Sequence, residues 1–119
     1  MTNTGAITYQ IPDAIQGDTF DGIEYDVTVN GTTIDLTSAT IKMDLRTSPT
    51  GALVLSLDSD GNGLTILTPP TDGKFTIDQQ IVDVPARTYS YDIEIDFHDG
   101  RVKTYISGTW PITQDVTHA

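Results

Sequence analysis

The segment from Tyr89 to Phe97 restricts the fold more than any other part of the chain. Tyr89, Tyr91, Ile93, Ile95 and Phe97 alternate with Ser90, Asp92, Glu94 and Asp96. A period of two over this length is the mark of a half-buried strand, because a helix would scatter the same apolar groups around its circumference. His98-Asp99-Gly100-Arg101 follows, and Asp-Gly between alternating runs predicts a two-residue type I′ hairpin. The returning strand, Arg101 to about Thr113, places Val102, Thr104, Ile106, Trp110 and Ile112 on one parity, expected to face inward. Arg101, Lys103, Tyr105 and Ser107 take the outward parity. Gly108 and Pro111 point to a bulge or an edge position near its end.

The same reading finds further strands. Ile41, Met43 and Leu45 alternate with Lys42, Asp44 and Arg46; Ile23, Tyr25, Val27 and Val29 alternate with Glu24, Asp26 and Thr28. Asn30-Gly31 turns the chain toward Thr32 to Leu36. Leu53 to Leu57, Leu64 to Thr68 and Lys74 to Asp78 are each preceded by Gly- or Pro-rich turns, and Asp78 to Pro85 reads equally as a short strand or one helical turn. No segment carries a helical stripe. Roughly seven or eight short strands with frequent turn signals predict an all-β, antiparallel two-sheet β-sandwich of immunoglobulin-like architecture, without the Cys…Trp…Cys pattern of antibody domains. Twenty Thr and fifteen Asp suit a chain of strands and turns. The expected organisation is an N-terminal arm over residues 1–16, one domain over 17–117 and a tail at 118–119. The polar ends read either as free tails or as arms that order against a neighbour.

Charge narrows the partners. Six Lys and Arg stand against seventeen Asp and Glu, for a net charge of -11. Phosphate contacts need Lys and Arg, so nucleic acid is not expected as a partner. No apolar run approaches the roughly 18 residues of a membrane span, and none has the form of a secretion signal. With no Cys there is no disulfide, thiolate metal site or Cys nucleophile.

Four features invite a functional reading. Asp58-Ser59-Asp60-Gly61-Asn62-Gly63 matches the first half of a calcium loop, but Pro69 occupies the twelfth position where a bidentate Glu belongs, so a plain polar turn is expected and no metal. His98 and His118 have neither a nucleophile nor a metal-ligand spacing nearby and are expected to be solvated. Asp92, Glu94 and Asp96 share one strand face; such a row could serve glycoside hydrolysis only in a shaped cleft, and is otherwise a solvated surface paired with Lys42, Arg46 or Lys103. Tyr105 on the outward parity and Tyr9 in the arm could each anchor a partner or stack on a sugar. No cofactor motif is present, and the chain is expected to be no enzyme.

Beyond these single features lies an ordered set of motifs. It runs from Gly17-Asp18-Thr19-Phe20 through Leu36-Thr37-Ser38-Ala39-Thr40-Ile41-Lys42-Met43-Asp44-Leu45-Arg46 to Gly73-Lys74-Phe75-Thr76-Ile77. It continues with Tyr89-Ser90-Tyr91-Asp92-Ile93-Glu94-Ile95, Asp99-Gly100-Arg101-Val102-Lys103-Thr104-Tyr105-Ile106-Ser107-Gly108 and Ile112-Thr113-Gln114-Asp115-Val116-Thr117. This succession, covering nearly the whole chain, resembles small structural proteins of tailed bacteriophages and the N-terminal domain of the phage baseplate upper protein family. The resemblance implies a β-sandwich adaptor at the baseplate, neck, tail or fibre attachment, made in the host cytoplasm and built as an oligomer into the virion. Its partners would be other virion proteins. A carbohydrate- or host-surface-binding module and a capsid-surface decoration protein are the alternatives. The expected contact residues are Ile7, Tyr9 and Ile11 in the arm, Pro69 and Pro70 beside the Asp58–Gly63 loop, Tyr105, and Trp110 and Val116 toward the C-terminus.

Overall fold

A computed structural model describes residues 7–29 and 31–114. Its strands are β1 (Ile7–Thr8), β2 (Ala14–Ile15), β3 (Thr19–Phe20), β4 (Ile23–Asp26), β5 (Thr28–Val29), β6 (Thr32–Thr33), β7 (Thr40–Arg46), β8 (Leu53–Asp58), β9 (Leu64–Ile66), β10 (Lys74–Ile77), β11 (Gln80–Ile81), β12 (Arg87–Asp96) and β13 (Val102–Thr113). One 3₁₀ turn, Pro70–Asp72, lies between β9 and β10. The fold is all-β, as the alternation requires. The largest sheet runs β1-β13-β12-β7-β8, with β2 also paired to β13; a second sheet runs β4-β10-β9, and β3–β11 and β5–β6 form separate pairs. The described residues therefore hold thirteen strands in four hydrogen-bonded sheets, where two sheets of seven or eight strands were expected. Strands of three residues or more are β4, β7, β8, β9, β10, β12 and β13, and these account for the alternation in the sequence. The other six strands are two residues long, too short to show a period.

One continuous core joins the sheets. Ile41, Met43 and Leu45 of β7 and Tyr89, Tyr91, Ile93 and Ile95 of β12 are buried with Phe75 and Ile77 of β10 and Leu64 of β9. Aromatic contacts tie the pieces together: Tyr25 stacks on Phe75 with centroids 5.1 Å apart, and Phe20 tilts against Trp110 at 4.9 Å. The ambiguous 78–85 stretch supplies β11, which pairs with β3.

The structure corrects three expectations. First, residues 7–16 are not a separate arm. β1 and β2 both run parallel to β13, with Ile7 beside Ile106 and Ala14 beside Ile112. Tyr9 N donates to Ser107 O at 2.8 Å, Ile11 N to Thr109 O at 2.9 Å and Gln16 N to Thr113 O at 2.8 Å. Ile11, an apolar residue in a polar stretch, is fully buried. Second, the β12–β13 connection is not a two-residue turn. Phe97 N donates to Arg101 O, and positive φ falls on His98 and Gly100 rather than on Asp99 and Gly100. Third, the register shifts between Ile93 and Glu94, so that Ile93 faces Ile106 while Glu94 faces Thr104. The residue left over is Tyr105. A bulge of this kind reverses the parity beyond it. Val102 and Thr104, expected inside, are exposed, and Tyr105, expected outside, is half-buried with its ring edge-on to Phe97 at 6.3 Å.

Candidate functional site

The outer face of the largest sheet carries the most organised polar surface. β7 and β12 alternate strictly, so Asp44 and Arg46 on one and Ser90, Asp92 and Glu94 on the other turn away from the core. The register puts Asp92 directly opposite Asp44 on one side and Ser107 on the other. Small side chains at Ser90, Ser107 and Thr109 leave an open hollow of ≈ 330 Å³, walled by Pro49 of the β7–β8 turn.

Asp44 is engaged: Ser56 Oγ donates to its Oδ1 at 2.9 Å, and Arg46 lies 3.6 Å from its Oδ2. Among the described residues Asp92 has no such partner. Its partial burial in the hollow, and then the facing Asp44 carboxylate, push its pKa up, while Arg46 pulls it back. Like charges directly opposite on paired strands are unfavourable. The hollow therefore suits a cationic side chain brought from outside and repels an anion. Glu94 faces Lys42 as the outward pairing predicts, but the Asp92–Asp44 opposition was not legible, since it depends on the register between strands far apart in sequence.

A second cluster lies where residues 9–11 cross β13. Tyr91 donates its hydroxyl to Tyr9 O at 2.6 Å. Tyr91 sits opposite Gly108, and a Cβ at Gly108 would come within 2.0 Å of Tyr9 O, so only glycine admits the strand there. The Tyr25 hydroxyl is buried without a hydrogen-bond partner among the described residues, and Tyr25 meets Tyr9 edge-on at 5.8 Å. Burial pushes both phenols up, Tyr91 to about 12 and Tyr25 further. Tyr9, Tyr25, Ile23, Ile106 and the acids Glu24 and Asp26 line a shallow hollow of ≈ 250 Å³.

The residues expected to make partner contacts are divided. Tyr9 is 39 % exposed and remains available. Pro69 is exposed and Pro70 half-buried; Pro69 follows a cis peptide bond, and Pro70 accepts from Leu36 N. Both lie on the β9–β10 connection, whereas Tyr9 and Tyr105 belong to the β13 side of the largest sheet. Ile11 and Trp110 are fully buried and have no surface to offer; their apolar bulk fills the chain's own core. Trp110 Nε1 has no hydrogen-bond partner there among the described residues. Ile7 is in β1, paired with Ile106. Val116 and His118 lie outside the described residues, as does Asn30.

The remaining features are used locally. Asp58 Oδ1 accepts from Asp60 N at 2.9 Å, and Asn62 Nδ2 donates to Ser56 O at 3.2 Å, so the loop that resembles half a calcium site is closed by its own hydrogen bonds. Among the described residues no group of three or more His, Asp or Glu is placed to hold a metal ion. His98 is not merely solvated: its Nε2 is 2.8 Å from Thr40 Oγ1, joining the hairpin to the start of β7. Among the described residues no helix is long and apolar enough to cross a membrane. Comparison with family models and with curated proteins finds no match.

Proposed function

We propose that this chain is a non-enzymatic structural or adaptor component of a tailed-bacteriophage virion, acting through protein–protein contacts. The observation that carries the reading is the ordered motif set, whose members fall on the strands of one fold. Gly73 to Ile77 forms β10 with its preceding turn, Thr40 to Arg46 is β7, and the last two long motifs supply β12 and β13. The fold proposed with it is an immunoglobulin-like sandwich. The order β13-β12-β7-β8 corresponds to the G-F-C-C′ sheet of such domains, and β4-β10-β9 to B-E-D. Tyr89, near the start of the strand equivalent to F, donates its hydroxyl back to Pro85 O, in the manner of the tyrosine corner. The acidic outer face suits a neighbour that presents basic side chains.

The test is genetic. A nonsense mutation in the gene should halt particle assembly or yield particles missing a component, with rescue by the chain supplied in trans. Full titres of complete, infectious particles in its absence would contradict the reading.

Glycan binding is the second reading, and the observation favouring it is the exposed Tyr9 ring beside Tyr25 with Glu24 and Asp26 on the rim. Of the two aromatics expected to stack on a sugar, Tyr105 and Tyr9, it favours Tyr9. Saturable glycan binding lost in Tyr9→Ala would support it, and a flat glycan array would remove it.

A further inference from the structure

We propose that the segment of residues 7–16 exchanges between two copies of the chain, each lending it as the edge strand beside β13 of the other. This deepens the assembly reading by naming a partner, a second copy. Its test uses the purified chain, so the two can fail separately.

The β13 edge is shaped for this segment. Ile11 fills a wholly buried site and Ala14 a nearly buried one. The Tyr9 carbonyl lies against Gly108 and accepts the Tyr91 hydroxyl. Every one of these contacts is satisfied equally by the same segment from another copy, so exchange alters only the hinge. That hinge is Gln16-Gly17-Asp18. Gly17 has φ 82° with open space around it, and Asp18 N closes a turn onto Ile15 O at 3.0 Å. The hinge is itself held to Val82, whose O accepts from Gly17 N and whose N donates to Asp18 O, so opening the turn gives up the Gly17 bond while the Asp18 bond holds the chain that follows. Straightening one turn therefore releases the segment and leaves the rest in place.

The pairing also lacks any local bias toward its own chain. β1 and β2 make the only parallel strand ladders among the described residues, and they join the two sequence ends of the domain. Contacts of such separation form late, when a neighbour's segment competes on equal terms.

The chain has no cysteine, which makes crosslinking decisive. Ile15 and Thr113 are register partners, both exposed. Single variants Ile15→Cys and Thr113→Cys are unfolded, mixed, refolded at high concentration and oxidised. A covalent heterodimer in severalfold excess over that from Ile15→Cys mixed with Leu53→Cys is expected. Heterodimer at or below that background overturns the proposal. The double variant Ile15→Cys/Thr113→Cys controls for folding and docking. It should yield both intrachain monomer and crosslinked dimer, the dimer rising with concentration during refolding. Intrachain closure alone at every concentration, or no disulfide at all, also overturns the proposal.

Discussion

At neutral pH the carboxylate of Asp92 faces that of Asp44 across adjacent strands, while Ser56 and Arg46 engage only Asp44. Because Asp92 holds its proton more tightly in the folded chain than in the unfolded one, it opposes folding once pH rises through the carboxylate range. Asp92→Asn is therefore expected to raise stability at pH 7, by less than about 1 kcal/mol for so exposed a group. The gain should vanish near pH 3, where the wild-type side chain is protonated in both states. Urea midpoints at the two pH values check this; equal gains at both would refute the charge explanation. Tyr25 and Tyr91 act in the alkaline range. Their pKa values are raised, so the folded state keeps protons that the unfolded state loses above about pH 10. Stability from this source should hold up to that pH and fall between about 10 and 12. Tyr25→Phe removes a buried hydroxyl that has no partner among the described residues, and is expected to leave stability at pH 7 unchanged or slightly higher while making the alkaline fall shallower. Denaturant titrations at pH 9 and 11, variant against wild type, measure both effects.

Among the elements, the edge strand of residues 7–16 departs most from what its sequence suggests. Ile7, Tyr9 and Ile11 alternate with Thr8 and Gln10, but Pro12 and Asp13 break the run after five residues, and two-residue pairings carry no readable period. Ile11→Ala should nevertheless cost about 2–5 kcal/mol, as for a core aliphatic. A loss near zero in thermal or urea melts would mean that the strand is not docked. Gly108→Ala should release the same strand, because the added Cβ meets the Tyr9 carbonyl. Hydrogen exchange is expected to show lost protection at Tyr9 and Ile11 while β7 keeps its own. By contrast β7 and β12 were legible residue by residue, since each buries alternate side chains along a regular ladder. The inward and outward faces of β13 are legible only from Ile106 onward, and reversed over Val102 to Tyr105. Tyr105 is the extra residue of a bulge, and nothing in Val102 to Ile106 marks where the ladder skips. The acidic hollow failed to appear in the sequence for a related reason. The alternation places Asp44 and Asp92 each on an outward face, but their opposition is a matter of register, fixed by the pairing of the strands and not by either strand alone.

As a whole molecule, the chain puts a continuous apolar core beneath a strongly acidic surface, with net charge -11. Such a surface would disfavour nucleic acid and favour a partner with basic side chains. Association through it should weaken with salt, whereas an exchanged edge strand, held by backbone hydrogen bonds and buried Ile11, should not. The proposed role makes this chain a stoichiometric part of a phage particle. Quantitative mass spectrometry of purified, intact virions tests it most directly. The expected result is a fixed copy number, on the order of a closed ring for a neck, baseplate or fibre position. Absence of the chain from pure particles, or a trace amount that varies between preparations, would contradict the claim.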